Sequence, residues 1–452
     1  MRFEHTHVLG GTGAGKTSLL ATQILDDLRS DNPPAIIVID GKGKFVRELQ
    51  HLKVIGDLSK RLTIINPQDI SAPPALNLFV PPLRPGMPPE VAQQVTESAI
   101  SNFAYIFSAR DFAVTEKQEI CLSYCVRLLY TTTPVSTIIN LLDLLSDPPV
   151  KTVGGLRPDS PFKHLIDSQQ EPIVQRFFKD AFYSSEYAQT RQQIQSRIYG
   201  LVGHPAFRAM FTATECKLDL FRIMQNREIL LVDSSSSALG EKAAPVLGRY
   251  ILALALSSAY ARLELPEREW NPVYIIIDEA QMFVDEEKTQ PLLQQARGFN
   301  IGVTLAHQKL ADLTPTLSAT LAANTSIKYA GGTNAIDAAF MAKNMNCEPE
   351  FIMDMQRRKT PTTRSFASFI KGHTEKAIAV AVPVLRLKEE PKLTTKQHER
   401  LIARNREKVS PLRLVAHTPT PPQTNLPTTE PNSDQEPKDP TTPKSPKGKK
   451  RW

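Results

Sequence analysis

The stretch GGTGAGKT at residues 10–17 constrains the fold of this chain more than any other feature. Gly10, Gly15, Lys16 and Thr17 satisfy the pattern G-x-x-x-x-G-K-[ST], in which glycines let successive backbone N–H groups point at phosphate oxygens. The apolar run THVLG precedes the loop, and SLLATQILDDL follows it as a helix whose N-terminus faces the anion. A chance glycine-rich turn is the alternative. The strand, loop and helix in this order favour a phosphate-binding loop in an α/β fold.

The loop predicts ATP and Mg²⁺ as cofactors. Lys16 would place a positive charge on the β- and γ-phosphates, and Thr17 would offer its hydroxyl to Mg²⁺. The predicted nucleotide-binding residues are consecutive: Gly10, Gly11, Thr12, Gly13, Ala14, Gly15, Lys16, Thr17 and Ser18.

Short β-type runs alternate with helical patterns, which indicates a mostly parallel sheet covered by helices. Near-continuous apolar runs suit strands that are buried on both faces. The predicted strands are residues 6–10, 35–40, 62–66, 228–233, 273–278, 300–306 and 326–331, and residues 377–383 are a possible edge strand.

The β pattern disappears for more than a hundred residues after the third strand, and helical patterns replace it. In one of these helices Thr115 and Gln118 form a plausible capping box. This predicts an all-helical domain at 86–204, inserted into a nucleotide-binding domain whose two parts are 1–85 and 205–385. A helical extension at 386–410 would follow, and ten prolines after residue 410 predict a disordered tail at 411–452.

A phosphate-binding loop needs an acidic partner at the end of another strand. Asp40, Asp233 and Asp278 each end a predicted strand, but only Asp278 is followed by a second carboxylate, Glu279. Asp278 would therefore hold the Mg²⁺ shell, and Glu279 would polarise the attacking water as general base. Asp40 is more simply a turn residue after the second strand, although it could lie near the site.

Two later residues are further candidates for catalysis. Gln308 follows the strand NIGVTLAH, where a polar side chain can sense the γ-phosphate; otherwise it makes a loop hydrogen bond. Arg297 lies between the acidic pair and that strand. It could reach the site of a neighbouring subunit and stabilise the charge of the transition state, or it is a solvated helix end.

The net charge and the cysteine content place only weak limits on the function of the chain. Residues 386–452 carry 15 Lys and Arg against 8 Asp and Glu, which leaves 39 of each sign in residues 1–385. The net charge of +7 is therefore weak evidence for nucleic-acid binding by the main body. The four scattered cysteines indicate a reducing, intracellular setting, and the longest apolar run, residues 250–261, is too short to span a bilayer.

HTHVLGGTGAGKT, YIIIDEAQMF and ARGFNIGVTLAHQ resemble the ring-forming DNA-pumping ATPases of the FtsK/HerA class. The closest likeness within that class is to conjugative coupling proteins, the type IV secretion ATPases of the TraD/TraG type. Four features support this likeness: the helical insertion, the strand and long helix before Asp278, the spacing of Arg297 and Gln308 after Asp278, and the ending SFASFIKGHTEKAIAVAVPVLRLKEEPKLTTKQHERLIARNREKV. The resemblance covers residues 1 to about 410.

The resemblance implies a RecA-like fold and a homo-hexamer that hydrolyses ATP and moves DNA, single-stranded during transfer, toward a secretion channel. By the same resemblance, Lys16 would bind phosphate, and Thr17 and Asp278 would bind Mg²⁺. Glu279 would activate the attacking water, and Gln308 would sense the γ-phosphate. Arg297 would act as an arginine finger in the site of a neighbouring subunit. The implied partners are DNA, a relaxase or relaxosome, and channel proteins.

Family members carry transmembrane helices before the phosphate-binding loop, and this sequence has none there. We therefore expect an anchorless cytoplasmic protein recruited to the inner face of the membrane by partners, or a start placed inside a longer reading frame. Two other functions stay open. One is a secretion-assembly ATPase that moves protein; the other is a slowly hydrolysing adaptor that recruits a relaxase–DNA complex.

Overall fold

The computed structural model describes residues 2–108, 114–132, 135–151 and 154–411. The predicted tail at 411–452 lies outside these residues, apart from Pro411.

One nine-stranded sheet forms the centre of the molecule, in the order β3-β4-β2-β5-β6-β1-β7-β8-β9. The first seven strands of this order are parallel, and β8 and β9 continue the sheet as antiparallel strands. The strands are β1 Thr6–Gly10, β2 Ala35–Asp40, β3 Leu62–Ile65, β4 Ile229–Asp233, β5 Val273–Asp278, β6 Ile301–His307, β7 Ile327–Gly331, β8 Thr363–Ile370 and β9 Ile378–Pro383. The predicted mostly parallel α/β sheet is confirmed.

Helices cover both faces of the sheet. The α-helices are α1 Lys16–Leu28, α2 Lys44–Leu49, α3 Lys53–Asp57, α4 Pro89–Ser101, α5 Phe103–Phe107, α6 Glu116–Tyr130, α7 Ile138–Ser146, α8 Lys163–Asp167, α9 Pro172–Arg176, α10 Ser185–Val202, α11 Pro205–Phe211, α12 Leu220–Gln225, α13 Ser236–Tyr260, α14 Glu286–Gly298, α15 Pro315–Asn324, α16 Ala335–Met345, α17 Pro349–Asp354, α18 Arg386–Glu389 and α19 Thr395–Val409. The 3₁₀ turns are Arg2–Glu4, Ser59–Arg61, Ala261–Glu264, Glu267–Glu269, Ala280–Met282 and Leu310–Asp312, and Phe177–Phe182 is a π-helix.

Alternate residues along each central strand enter different cores, as the period of a strand requires. On β2, Ile36 and Val38 pack in one core with α1, α2 and α19, whereas Ile37 and Ile39 pack on the other face with α13 and the helices that follow β3. A third core lies between β7, β8, α16 and α17. The parallel strands are therefore buried on both sides, which explains their continuous apolar sequences.

The helical segment between β3 and β4 contains α4 to α12 and shares its core with one face of the sheet. Its α6 begins with the predicted capping box, in which Thr115 and Gln118 each accept a hydrogen bond from the other's backbone N–H. The domain boundaries proposed above remain predictions.

The long helix α13 contains an interruption and contributes many residues to the core that it shares with Ile37 and Ile39. Gly240 has φ +74°, a left-handed conformation that glycine adopts without steric cost, so the regular helix begins after it. In the described part of the chain, Ser236–Glu264 is the one helix long and apolar enough to cross a membrane, and 89% of its apolar window is buried inside the protein. Such burial is typical of a core helix.

The free edge of β3 is covered by a side chain of the C-terminal helix α19. Asn405 accepts a hydrogen bond from the backbone N–H of Ile64 and donates one to the backbone oxygen of the same residue, both at 2.8 Å. The amide therefore takes the place of a neighbouring strand at one position of this edge.

Candidate nucleotide site

The phosphate-binding loop connects the end of β1 to the start of α1. Gly13 and Gly15 have φ values of +78° and +99°, which only glycine adopts easily. A Cβ at Gly10 would lie 2.8 Å from the backbone oxygen of Gly331, and one at Gly11 would lie 2.7 Å from that of Gly332. Glycines are therefore needed both for the curvature of the loop and for its close approach to the end of β7.

Lys16 begins α1 and is largely buried beneath the loop. Its Nζ donates a hydrogen bond to the backbone oxygen of Gly10 at 2.7 Å. Burial lowers the pKa of this ammonium, and the charge of Lys42 adds to the effect, while Asp278 and Glu279 oppose it. The lysine thus lies inside the curve of the loop, where a phosphate would be held.

Asp278 ends β5 and contacts the first turn of α1. The hydroxyl of Thr17 lies 3.4 Å from Asp278 Oδ2. Burial, together with the charges of Asp40 and Glu279, raises the pKa of Asp278 to about 6. Negative charge is therefore crowded in a buried position beside a hydroxyl, an arrangement that suits a cation.

Glu279 is held by three polar side chains. Gln308 Nε2 lies 2.8 Å and 2.9 Å from its two carboxylate oxygens, Gln281 Nε2 donates to Oε2 at 2.7 Å, and Lys42 Nζ lies 2.5 Å from Oε1. Burial alone would raise the pKa of this carboxyl, but these three donors outweigh it and the pKa is lowered. Glu279 also has φ +59°, a strained value for a residue with a side chain.

Gln308 connects the phosphate-binding loop to Glu279. Its amide donates to Glu279 as above, and its Oε1 accepts a hydrogen bond from the Thr12 hydroxyl at 2.9 Å. Just before it, His307 stacks on His7 of β1, with their Nε2 atoms 2.6 Å apart. Two consecutive residues at the end of β6, His307 and Gln308, therefore contact β1 and the phosphate-binding loop that follows it.

The structure brings Lys16, Thr17, Asp278, Glu279 and Gln308 to the carboxyl ends of β1, β5 and β6. These strands are neighbours, so their ends meet at one edge of the sheet. Arg297 lies elsewhere. It is in the last turn of α14, just before β6 begins, is 63% exposed, and pairs with Glu4 at 3.3 Å.

Two residues near the site have no sequence motif that singles them out. Lys42 reaches Glu279 from the loop after β2, and Arg364 of β8 packs its stem on the phosphate-binding loop, where a Cβ at Gly15 would lie 2.8 Å from its Cβ and Cγ. Both contacts depend on which strands are neighbours. A basic residue shortly after a strand that ends in Asp was the only available signal for Lys42.

The residues present fit a magnesium nucleotide. The loop leaves no room for side chains at Gly10, Gly11 and Gly15. Lys16 faces into it, and Thr17 and Asp278 provide two oxygens. Mg²⁺ in such sites takes one or two protein ligands and completes its shell with phosphate oxygens and water, so this pair is sufficient.

Comparison with known proteins agrees with this geometry. Residues 2–171 match the family described as "Type IV secretion-system coupling protein DNA-binding domain". No curated protein sequence shows significant similarity to the chain.

Among solved structures, the plasmid coupling protein TrwB in complex with ADP and Mg²⁺ superposes with a TM-score of 0.57 at 16% identity, covering 88% of each chain. TrwB with a non-hydrolysable ATP analogue gives 0.55 at 15% identity and 87% of each chain, and the unbound TrwBΔN70 form gives 0.55 at 16% identity, covering 84% of this chain and 85% of that one. These likenesses establish the fold, and the predicted resemblance to coupling proteins is confirmed.

Proposed function

Proceeding from this likeness to type IV secretion coupling proteins, we propose that the chain is an ATP-driven motor that moves DNA toward a secretion or conjugation channel. The observation that carries the proposal is the chain of contacts from Thr12 through Gln308 to Glu279, beside the Thr17–Asp278 pair. Such a connection lets the loop that binds phosphate and the carboxylate that activates water respond to each other. The matched family description names DNA, which supports DNA as the partner.

Each residue has a defined part in the proposed hydrolysis. When bound, Mg²⁺ and ATP supply the scissile phosphoanhydride bond and the positive charge that offsets its developing negative charge. Lys16 and the loop N–H groups would bind the phosphates, and Thr17 and Asp278 would hold the cation. Glu279 accepts a proton from the attacking water, and Gln308 reports on the γ-phosphate through its contacts with Thr12 and Glu279.

We further propose that the working form is a homo-hexamer in which Arg297 acts on the site of a neighbouring subunit. Arg297 precedes β6, a strand of seven residues, whereas Gln308 follows it, so the two ends are roughly 20 Å apart along the strand. This separation from the chain's own site, together with its exposure, is what a finger in trans requires. A relaxase or relaxosome, channel proteins and membrane recruitment by these partners belong to the same proposal.

The proposal is tested by ATP hydrolysis measured with and without DNA. We expect single- or double-stranded DNA to raise kcat, and Glu279→Gln to lower it about 10²- to 10⁴-fold while ATP still binds, because the general base is lost and the phosphate cradle is kept. Glu267→Gln, which changes an exposed carboxylate in a remote 3₁₀ turn, is the matched control and should hydrolyse at the wild-type rate.

Two results would argue against this function. A hexamer that hydrolyses ATP without any response to DNA would favour a motor that moves protein. A Glu279→Gln variant with an unchanged rate would remove Glu279 from catalysis and favour a nucleotide-dependent adaptor.

A further inference from the structure

The loop after β2 is built against the turn that carries Asp278 and Glu279. The Asp40 carboxylate accepts hydrogen bonds from the backbone N–H of Lys42 at 2.8 Å and of Val46 at 3.1 Å, which closes the loop. Gly41 donates its N–H to the Asp278 backbone oxygen at 3.3 Å. Because β2 and β5 are adjacent and in register at Asp40 and Asp278, the loop lies directly beside the acidic pair.

The missing side chain of Gly41 allows this close approach. A Cβ there would lie 3.0 Å from Glu279 Cβ and 2.7 Å from Met282 Sδ. The loop therefore touches the Glu279 turn by its backbone, and this contact places the next side chain, Lys42, over the carboxylate.

In the contact between Lys42 and Glu279, the lysine side chain is exposed and the glutamate side chain is buried. The Lys42 side chain is 57% exposed and that of Glu279 is 5% exposed, with 2.5 Å between Nζ and Oε1. Glu279 cannot move far inside its pocket of donors, whereas Lys42 can leave at little cost in packing. Removing the lysine therefore tests the polar contact without opening a cavity.

Lys42 completes a set of donors that fixes the carboxylate from two sides. Oε1 receives Lys42 and Gln308, and Oε2 receives Gln281 and Gln308. Without Lys42, Oε1 keeps only the amide of Gln308, which is shared with the other oxygen. Only the two glutamine amides would then hold the carboxylate, so its orientation would be less firmly fixed.

We propose that Lys42 is a positioning residue for the hydrolytic step: it holds Glu279 in the orientation from which that carboxylate activates water. The inference rests on the ATPase activity in the proposed function. It assigns the main effect of Lys42 to the reaction rate rather than to nucleotide binding, since the side-chain hydrogen bond of Lys42 is to the general base.

The test compares Lys42→Met with Lys44→Met in the full chain. Methionine keeps the length of the lysine side chain and removes the charge. Lys44 lies two residues further on, is 81% exposed, and is 3.9 Å from Glu48, so its loss should change nothing. We expect Lys42→Met to lower kcat of basal ATP hydrolysis about 10- to 100-fold, as for a misplaced catalytic group, with KM and ATP affinity unchanged.

Two more variants separate positioning from a general loss of structure. Lys42→Arg, which keeps a donor over Oε1, should recover part of the rate. Lys42→Met added to Glu279→Gln should cause no further loss, because the group that Lys42 positions is already gone.

The proposal is overturned if kcat of Lys42→Met equals that of the wild type, or if ATP affinity falls as much as kcat, which would make Lys42 a phosphate ligand. Its failure is distinguishable from failure of the proposed function. The Lys42 comparison uses basal hydrolysis without DNA, whereas translocation is judged from the response of the wild-type protein to DNA.

Discussion

At the scale of single residues, Gly15 shows how tightly the loop is built. Its φ of +99° is unfavourable for any residue with a side chain, and a Cβ would meet Arg364 at the two atoms nearest its backbone. We expect Gly15→Ala to destabilise the nucleotide-free protein by about 2–4 kcal/mol, the sum of backbone strain and overpacking. Urea denaturation measures this change.

Two other glycines serve as matched controls for Gly15. Gly13 in the same loop and Gly86 in a remote turn also have positive φ, but a Cβ at either would meet nothing within 4 Å. Their alanine variants should lose only the backbone contribution, about 1–2 kcal/mol. Equal losses at all three positions would show that Arg364 yields to the new methyl group.

The residues at strand ends were predictable, and those that contact them across the sheet were not. Asp278, Glu279 and Gln308 follow buried strands, so their sequence positions alone predict that they lie at one edge. Lys42 reaches Glu279 only because β2 lies beside β5, although more than two hundred residues separate the two in the chain. The order of the strands in the sheet cannot be read from any local sequence pattern.

At the scale of elements, the apolar strands were recognised and β8 was not. Seven predicted parallel strands are present with ends shifted by at most one residue, and the predicted edge strand corresponds to β9. β8, TRSFASFI, mixes polar and apolar residues because it pairs antiparallel near the sheet edge and is less fully buried. Its sequence resembles a loop until its neighbours are known.

The contact between α19 and β3 supports a stability prediction. Asn405→Ala would leave the backbone N–H and C=O of Ile64 without their side-chain partner in a buried place, at a cost of about 2 kcal/mol. The free energy of unfolding from urea denaturation measures this loss. Asn344→Ala is the control, since that amide only donates to Phe340 within its own helix. Equal stability of the two variants would contradict the bridging role of Asn405.

At the scale of the whole molecule, one subunit leaves Arg297 without a catalytic task. It lies at the sheet edge opposite the nucleotide site, where it pairs with Glu4. Its place at the end of a helix follows from the sequence, whereas the proposed catalytic role requires a second copy of the chain.

The trans role of Arg297 predicts complementation between two inactive variants. Arg297→Ala keeps an intact site but lacks the finger, and Glu279→Gln lacks the general base but keeps the finger. If Arg297 acts across the interface, some sites in mixed rings combine Glu279 of one variant with Arg297 of the other. ATP hydrolysis by the mixture should then exceed the sum of the rates of the two variants alone. Arg268→Ala, at an exposed arginine in a remote 3₁₀ turn, should hydrolyse normally by itself. Mixed hexamers, verified by mass, that regain no activity would contradict the trans role of Arg297.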